Sequence, residues 1–398
     1  MSSFKLIRVP YLLPISADPI QEAALLIEDD ILVSIGRFEE VWKHPQSKTA
    51  IQIELPDTVL LPGFVNAHCH LELTALQGLQ YPGSFSAWIT KLIRAKSDLS
   101  VEQIQMGFQR GLAWLLQTGT TTVADHVSVG TDWSLLKKSP LRYQIFLESL
   151  GVNPELAEQI YELGEKSEVP HIHLSPHSVH ALHPPLLEKL LKSSRPLFSI
   201  HLAESKEEEE YFKRGSGKLF EFIREKNPKS WFENLTMSSI QYLNKKKLLS
   251  DKILAIHCNY VDDEDIQLLQ KHKMSVVHCP SSHAYFGHQR FELEKLRQAG
   301  LNIALGTDSL SSGDSLSMLD QVRLARKNYP EIPASEWLRM LTLNGARALK
   351  MEREIGSLEL GKKADIIGFK FSNFSGILED LAENVLEKKQ VDFILEDT

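Results

Sequence analysis

Apolar and polar positions along the middle of the chain follow a repeating order of strand and then helix. Eight short apolar runs have the composition of buried strands: LLPGFVNAH, TTTVADH, RYQIFLES, HIHLSPH, LFSIHLAE, ILAIHC, MSVVHCP and LNIALGTD. Amphipathic stretches of helical period, such as VEQIQMGFQRGLAWLLQTG and PPLLEKLLKSS, separate most of them. Eight parallel strands with intervening helices predict an α/β fold, a (β/α)₈ TIM barrel.

The two ends of the chain have a different pattern. FKLIRV, AALLIE and ILVSIG near the start, and ADIIGFKF and VDFILED near the end, are typical of short strands. We therefore predict that residues 1–57 and 355–398 form a small β-sandwich domain and that residues 58–354 form the catalytic barrel. The acidic run KEEEE at 206–210 predicts the start of a solvated helix, because the backbone dipole favours acidic side chains there.

Each predicted strand carries a polar residue where its apolar part stops. In chain order these residues are His68 with His70, Asp125 with His126, Glu148, His177, His201, His257, His278 and Asp308. The carboxyl ends of barrel strands meet at one mouth, where barrel enzymes keep their chemistry. Eight strands that all end in His, Asp or Glu predict an active site and not only a scaffold.

The segment NAHCHLE, residues 66–72, is the clearest of these strand ends. Alternate side chains of a strand point to one face, so His68 and His70 are predicted to point together and Cys69 away from them. Two adjacent imidazoles can chelate one metal ion. By itself the pair could be two chance surface histidines, but the other strand ends favour the metal.

Composition narrows the class of protein. The 398 residues are 42% hydrophobic, and the formal net charge of -8 argues against a nucleic-acid partner. Three scattered cysteines without a CxxC pair predict a reducing compartment. Without a signal-peptide pattern or a long apolar stretch, we expect a cytoplasmic protein with no membrane partner. The oligomeric state stays open, and a homodimer is the common case.

Four motifs together resemble those of the amidohydrolase superfamily. They are NAHCH in the first strand, HLAE in the fifth, HC in the sixth and GTDS in the eighth. The similarity covers essentially the whole chain and is strongest to the aminohydrolase branch, which deaminates nucleobases, adenosine-like compounds and related heterocycles. It implies a small-molecule substrate, a purine nucleoside or a related heterocycle.

The resemblance implies one divalent metal ion, held by His68, His70, His201 and Asp308 at the barrel mouth. Three imidazoles and a carboxylate suit zinc or iron, and the sequence does not choose between them. Members with two ions bridge them through a modified lysine at the end of the fourth strand. That strand reads HIHLSPHS here, so we predict a single ion. Taken alone, His201 could be an ordinary core histidine and Asp308 a helix cap.

The resemblance also implies three catalytic residues: Glu204, His257 and Asp308. A bound divalent ion can lower the pKa of water to about 7. Glu204 in the HxxE pattern is the implied proton shuttle, His257 would hold the attacking water, and Asp308 could accept its proton. The alternatives are an acidic residue of the following helix for Glu204 and a buried histidine beside Cys258 for His257.

The predicted substrate contacts lie on loops at the mouth. His177 follows the fourth strand, where related deaminases contact the substrate. Phe85 and Trp88, three residues apart on a helical turn, either pack in the core or form an aromatic wall for a flat substrate. Glu72 could bind ribose hydroxyls or orient His70.

HLE with a downstream FxxW, and CPxSHAYFGH, look most like aminodeoxyfutalosine deaminases. Many relatives have Asn where this chain has His283, which argues against guanine- or cytosine-type recognition and makes His283 a predicted substrate contact. The implied substrate is an adenine nucleoside with a benzoate tail. Arg290, Lys91 or Arg94 could meet its carboxylate.

We therefore predict hydrolytic deamination of a 6-aminopurine nucleoside, with 6-amino-6-deoxyfutalosine of menaquinone biosynthesis as the favoured substrate. S-adenosylhomocysteine, methylthioadenosine or another nucleobase compound is the alternative for the same reaction. A chlorohydrolase or amidase would keep the site and change the leaving group. A catalytically dead barrel should have lost a ligand or the shuttle, and all of them are present.

Overall fold

The computed structural model describes residues 3–128, 131–132, 134–150, 159, 161–162, 171–226, 235–371 and 378–395. In these ranges the strands are β1 Phe4–Leu12, β2 Ile20–Glu28, β3 Ile31–Arg37, β4 Ile51–Glu54, β5 Thr58–Pro62, β6 Phe64–Cys69, β7 Thr120–Val127, β8 Arg142–Ser149, β9 Ile172–Pro176, β10 Phe198–Leu202, β11 Ile253–His257, β12 Ser275–His278, β13 Asn302–Leu305, β14 Ile366–Lys370 and β15 Phe393–Ile394.

The helices of the same ranges are α1 Phe38–Val41, α2 Phe85–Ser97, α3 Val101–Gln117, α4 Ser134–Lys137, α5 Pro184–Leu191, α6 Lys206–Arg214, α7 Lys218–Lys226, α8 Ser239–Lys245, α9 Asp263–Lys271, α10 Pro280–Phe286, α11 Leu293–Gln298, α12 Met318–Arg326, α13 Ala334–Leu341, α14 Leu343–Ala348 and α15 Leu378–Leu386. Two 3₁₀ helices span Pro45–Lys48 and Leu71–Leu76. Along the described chain no helix combines the length and the apolar character that crossing a membrane requires.

Strands β6 to β13 form one parallel sheet in chain order, which confirms the predicted (β/α)₈ barrel. Its first and last strands meet at the mouth, where the backbone N–H of Thr307 donates to the carbonyl of His68 at 2.9 Å. The side-chain amide of Asn66 donates to Thr307 Oγ1 at 2.8 Å across the same seam. All eight predicted barrel strands are present.

The remaining strands form a separate sheet built from both ends of the chain, as predicted. Its order is β15-β14-β5-β1-β2-β3, with β4 paired to β1. This sheet includes β5, which directly follows the predicted boundary at residue 57 and whose residues Leu60–Pro62 belong to the run that predicts the first barrel strand. The division into two domains stays a prediction.

Gly63 separates the two sheets where the sequence pattern predicts one continuous strand. A Cβ atom at this position would lie 1.9 Å from Thr121 Oγ1, so only glycine lets the chain pass so close to β7. The chain leaves the terminal sheet at Pro62 and enters the barrel at Phe64. The apolar run is therefore continuous in sequence but belongs to two sheets.

Helix α3 fixes the segment that follows the first barrel strand. It begins with a capping box, in which Ser100 and Gln103 bond to each other's backbone amides. A Cβ atom on Gly107 would lie 2.7 Å from the backbone nitrogen of Ala75, so the glycine permits close packing on the 3₁₀ helix Leu71–Leu76. This contact positions the chain directly after His70.

Candidate metal centre and substrate pocket

Three histidines from two strands meet at the barrel mouth. His68 lies in β6, His70 directly follows it, and His201 lies in β10. Each offers one ring nitrogen, and these three nitrogens all lie within 4.8 Å of one another. Both ring nitrogens of His68 are buried without a hydrogen-bond partner. Buried polar atoms without partners are rare, and an ion bound by these nitrogens would satisfy them.

Asp308 completes this group from the seam of the barrel. Its Oδ1 lies 3.7 Å from the Nε2 atoms of His68 and His70, and its Oδ2 accepts a hydrogen bond from Ser312 at 2.9 Å. Burial alone would raise the pKa of Asp308, but the facing side chain of His68 and then those of His257 and His70 hold the pKa well below its usual range. The carboxylate is therefore ionised, as a metal ligand requires.

The imidazoles of His68 and His201 are neutral. Burial lowers the pKa of His68, and it lowers the pKa of His201 well below its ordinary value. Neutral imidazole is the ligand form of histidine. His201 Nδ1 donates to the backbone carbonyl of His177 at 2.7 Å, so its Nε2 has a free lone pair for an ion. Three imidazoles and a carboxylate fit a zinc or iron ion.

Glu148, His177 and His201 form a second group whose ligand atoms lie within 4.8 Å of one another. This group has His201 in common with the first group. Because Nδ1 of His201 is already bonded, only its Nε2 is available, and His201 can serve only one of the two groups. Glu148 Oε1 instead lies 3.1 Å from His177 Nδ1, and its Oε2 lies 3.8 Å from His70 Nδ1. We read Glu148 as a carboxylate that orients His177 and His70.

Glu204 and His257 face each other beside the three histidines. Glu204 Oε1 lies 3.5 Å from His257 Nε2, and both side chains are buried. Burial, and then the negative charge of Asp308, raises the pKa of Glu204 well above its usual range. A carboxyl group with a raised pKa can both take up and release a proton near neutral pH.

The backbone is strained where these side chains enter the mouth. Ala203, His257 and Asp308 have φ angles of 48°, 71° and 56°, in the left-handed region that non-glycine residues rarely adopt. Glu208 holds one of these bends, because its carboxylate accepts from the backbone amides of Ala203 at 2.9 Å and Glu204 at 2.8 Å. Sequence reasoning assigned Glu208 only to a solvated helix, yet this side chain is buried.

A cavity of about 180 Å³ opens over the group. Its lining includes five predicted metal ligands or catalytic residues and one predicted substrate contact: His70, His201, Glu204, His257 and Asp308, and His177. Helix α2 covers it with Phe85 and Trp88, whose rings lie 6.1 Å apart and are only 7% exposed. These two aromatic residues thus pack together and line the cavity as well.

Glu72 also lines the cavity, but described neighbours already bind its carboxylate. Lys96 forms an ion pair with it, and the hydroxyls of Ser128 and Thr131 donate to it. The contact of Glu72 with ribose stays a prediction. Lys96, its ion-pair partner, also lines the cavity.

Two further predicted contacts lie away from the cavity lining. His283 Nδ1 lies 3.0 Å from Asn259 Oδ1, and the amide of Asn259 donates to the backbone carbonyl of Glu204. Arg290 is bonded to Glu294 and to the carbonyl of Asn328 at the protein surface. The structure therefore connects His283 to Glu204 through Asn259 and does not bring Arg290 to the cavity.

Sequence reasoning missed one residue that ties the aromatic wall to the catalytic strand. Glu207, in the first turn of α6, accepts hydrogen bonds from the Ser84 hydroxyl at 2.8 Å and from the amides of Phe85 and Ser86 at 2.8 and 3.0 Å. It thus caps the N-terminus of α2, where Ser84 makes no cap bond of its own. No local signal in KEEEE marks this role.

Comparison with known proteins places the chain among amidohydrolases. The model of the amidohydrolase family matches residues 59–393. The chain is 30% identical over 378 residues to 5-methylthioadenosine/S-adenosylhomocysteine deaminase of Moorella thermoacetica, covering 89% of this chain and 83% of that protein. It is 29% identical over 325 residues to aminodeoxyfutalosine deaminase of Nitratiruptor sp., covering 78% of each.

Among solved structures, the chain is similar to Helicobacter pylori aminofutalosine deaminase in complex with methylthio-coformycin. The TM-score is 0.88 at 25% identity, and the match covers 99% of this chain and 98% of that one. The similarity includes both the barrel and the terminal sheet, because it extends over nearly the whole length of both chains.

The three-histidine group predicts the metal content. Protein purified from cells grown with added metal should contain about one divalent ion per chain. The His201→Ala variant should contain almost none, because the substitution removes one of the proposed metal ligands. Elemental analysis of folded protein measures both. The exposed His171→Ala is the matched control and should keep its ion. Full occupancy in His201→Ala, or two ions in the parent, would contradict this assignment.

The carboxylate cap on α2 predicts a local change in hydrogen exchange. Removing an N-cap acceptor costs about 0.5–2 kcal/mol, so Glu207→Ala should speed exchange of the Phe85 and Ser86 amides by about 2- to 30-fold. Mass spectrometry of the peptides that cover α2 measures this. Glu209→Ala, which breaks only an ion pair with Lys213 on the same helix, should leave α2 unchanged. Equal exchange in both variants would show that Glu207 does not hold α2.

Proposed function

The chain belongs to the amidohydrolase family, and on this premise we propose that it is a metal-dependent hydrolase that deaminates a 6-aminopurine nucleoside. The observation that carries the proposal is the pairing of Glu204 with His257, 3.5 Å apart, beside the group of three imidazoles and Asp308. A proton-carrying carboxyl next to a metal-type ligand set is what hydrolytic deamination requires.

We assign the metal ligands as His68, His70, His201 and Asp308. An ion bound there would supply Lewis acidity, which lowers the pKa of a bound water to about 7. The remaining steps belong to side chains of this chain. His257 Nε2 is buried without a hydrogen-bond partner, and it faces the cavity, where it can hold the attacking water.

The protons of the attacking water can be followed through Glu204 and Asp308. The water oxygen adds to C6 of the purine, and Glu204 takes one proton from the water and gives a proton to ring nitrogen N1. Asp308 takes the second proton, which passes to the amino group. The C6–N bond then breaks, ammonia leaves, and the product keeps a C6 carbonyl and an N1–H.

Binding of the flat base is assigned to the aromatic wall. Phe85 and Trp88 line one side of the cavity, and their faces offer stacking area to a purine. His177, held by Glu148, also lines the cavity and has a ring nitrogen to offer the base or ribose. Glu72 remains a proposed contact through its carboxylate at the cavity wall. His283 lies outside the cavity lining, and its proposed role is to support the backbone of Glu204 through Asn259.

For the substrate itself we favour 6-amino-6-deoxyfutalosine, which would place the protein in menaquinone biosynthesis. Support comes from the similarity to the Nitratiruptor and Helicobacter proteins named for that deamination. Methylthioadenosine or S-adenosylhomocysteine is the second candidate, because the Moorella relative named for them is similar over more of this chain.

Glu204→Gln tests the proton shuttle. Gln keeps the size of the side chain but cannot carry a proton. The kcat for an adenine nucleoside should therefore fall about 10²- to 10⁴-fold or more, while the metal content is retained. KM should change less, because contacts to the rest of the nucleoside persist. The change of ultraviolet absorbance on deamination gives the rate, and Glu209→Gln on the surface of α6 is the matched control.

A Glu204→Gln enzyme that works within a few-fold of the parent would remove Glu204 from the mechanism. A parent that releases chloride from a chlorotriazine but no ammonia from nucleosides would overturn the proposed reaction. A folded, metal-loaded protein inactive on both would argue for a binding barrel.

A further inference from the structure

The two strands that carry Glu204 and His257 both leave the sheet in left-handed turns. Regular pairing of β10 with β11 ends where Leu202 lies opposite His257. Ala203 then has a φ angle of 48°, and His257 and Cys258 have φ angles of 71° and 50°. Non-glycine residues rarely adopt this region, so other contacts must hold the two turns in place.

Three hydrogen bonds continue the pairing beyond these turns. Each donor belongs to the chain after His257, and each acceptor is a main-chain carbonyl at or after the end of β10. The bonds run from the amide of Cys258 to Leu202 at 3.0 Å, from the amide of Tyr260 to Ala203 at 2.9 Å, and from the side chain of Asn259 to Glu204 at 3.0 Å. The third bond thus comes from a side chain and reaches the main chain of the proposed proton carrier.

His283 holds the other side of the Asn259 amide. Asn259 is buried, and its Oδ1 lies 3.0 Å from His283 Nδ1. A carbonyl oxygen only accepts, so Asn259 Nδ2 must face Glu204 and Oδ1 must accept a hydrogen bond from His283. Burial lowers the pKa of His283 to about 4, so its ring is neutral and carries the proton on Nδ1. His283 therefore fixes the amide in the orientation that the bond to Glu204 requires.

The main chain of Glu204 determines where its carboxyl group lies. Within the described part of the chain this carboxyl forms no hydrogen bond, and it faces His257 Nε2 at 3.5 Å. Its main chain is bound on both sides, because Glu208 accepts from the amide at 2.8 Å and Asn259 donates to the carbonyl. Movement of this peptide would shift the carboxyl relative to His257, and a displacement of about 1 Å can cost about 100-fold in rate.

We propose that Asn259 is a positioning residue, which holds Glu204 and His257 at the spacing that proton transfer requires, and that His283 acts on the reaction only through Asn259. We call Asn259 and His283 the positioning pair. The inference rests on the proposed function and extends it from the groups that move protons to the pair that places them. Neither member of the pair lines the cavity, so neither is assigned a contact with the substrate.

The alternative is a purely structural role, in which Asn259 only satisfies a buried carbonyl. The two roles differ in what a substitution changes. Loss of a structural bond lowers the free energy of unfolding and leaves the kcat of folded, metal-loaded enzyme unchanged. Loss of a positioning bond lowers kcat more than it changes KM, and it does so only while Glu204 is present to be positioned.

Steady-state kinetics of metal-loaded variants tests the proposal, with 5′-methylthioadenosine or 6-amino-6-deoxyfutalosine as substrate, whichever the parent deaminates faster. Asn259→Ala removes the amide, and Asn259→Asp keeps its shape but turns an acceptor towards the Glu204 carbonyl. Both should lower kcat about 10- to 100-fold, with KM within about threefold and about one ion per chain retained. Asn302→Ala, the matched control, removes a donor to the main-chain carbonyl of Asn344 at the opposite end of the barrel and should leave kcat unchanged.

Double substitutions separate positioning from stability. In the Glu204→Gln background, Asn259→Ala should lower kcat less than about threefold, because no proton carrier remains to be placed. His283→Ala should lower kcat about tenfold by itself and less than about twofold in the Asn259→Ala background. Losses that multiply in either pair of substitutions would contradict the assignment.

The outcomes separate the positioning pair from the proposed function. If folded, metal-loaded Asn259→Ala and Asn259→Asp both keep kcat within about threefold of the parent, the positioning pair is wrong and the deaminase stands. Failure of both variants to fold would also overturn the pair, because Asn259 would then serve stability. If the folded, metal-loaded parent deaminates neither nucleoside, the proposed function is overturned and the positioning pair with it.

Discussion

The seam that closes the barrel is the contact on which the site depends. Backbone amides of Thr307 and Asp308 donate to the carbonyl of His68, and the amide of His70 donates to the carbonyl of Asp308. The Asn66 side chain ties the same two segments together. Because the first and last strands are held in this register, the carboxylate of Asp308 lies 3.7 Å from two imidazoles that are more than 200 residues away in sequence.

Strained turns, and the carboxylates that hydrogen-bond to the backbone near them, position the other side chains of the site. Ala203, His257 and Asp308 turn their chains in the left-handed region, at a cost of about 1–3 kcal/mol each. Glu208 binds the backbone around Glu204, and Glu207 binds the start of the helix that bears the aromatic wall. The first turn of α6 therefore fixes both the proton carrier and the cover of the cavity.

The parts of this arrangement that follow from local pattern could be predicted. His68, His70, His201 and Asp308 lie at strand ends, and strand ends of a parallel barrel share one mouth, so their convergence follows from the alternating pattern. The partners of Glu207 lie more than 120 residues away, and its run of acidic neighbours reads as solvated surface, so no sequence pattern could reveal them. The sequence also could not show that Arg290 lies away from the cavity, because the placement of its loop is set by tertiary contacts.

The central claim is that solvent oxygen replaces the 6-amino group of a purine nucleoside at this mouth. Turnover in water enriched in a heavy oxygen isotope tests it most directly, with mass spectrometry of the product and an assay of ammonia. The account predicts one heavy oxygen atom on the purine ring and one ammonia for each nucleoside consumed. Product without heavy oxygen, or ring label without ammonia, would contradict it.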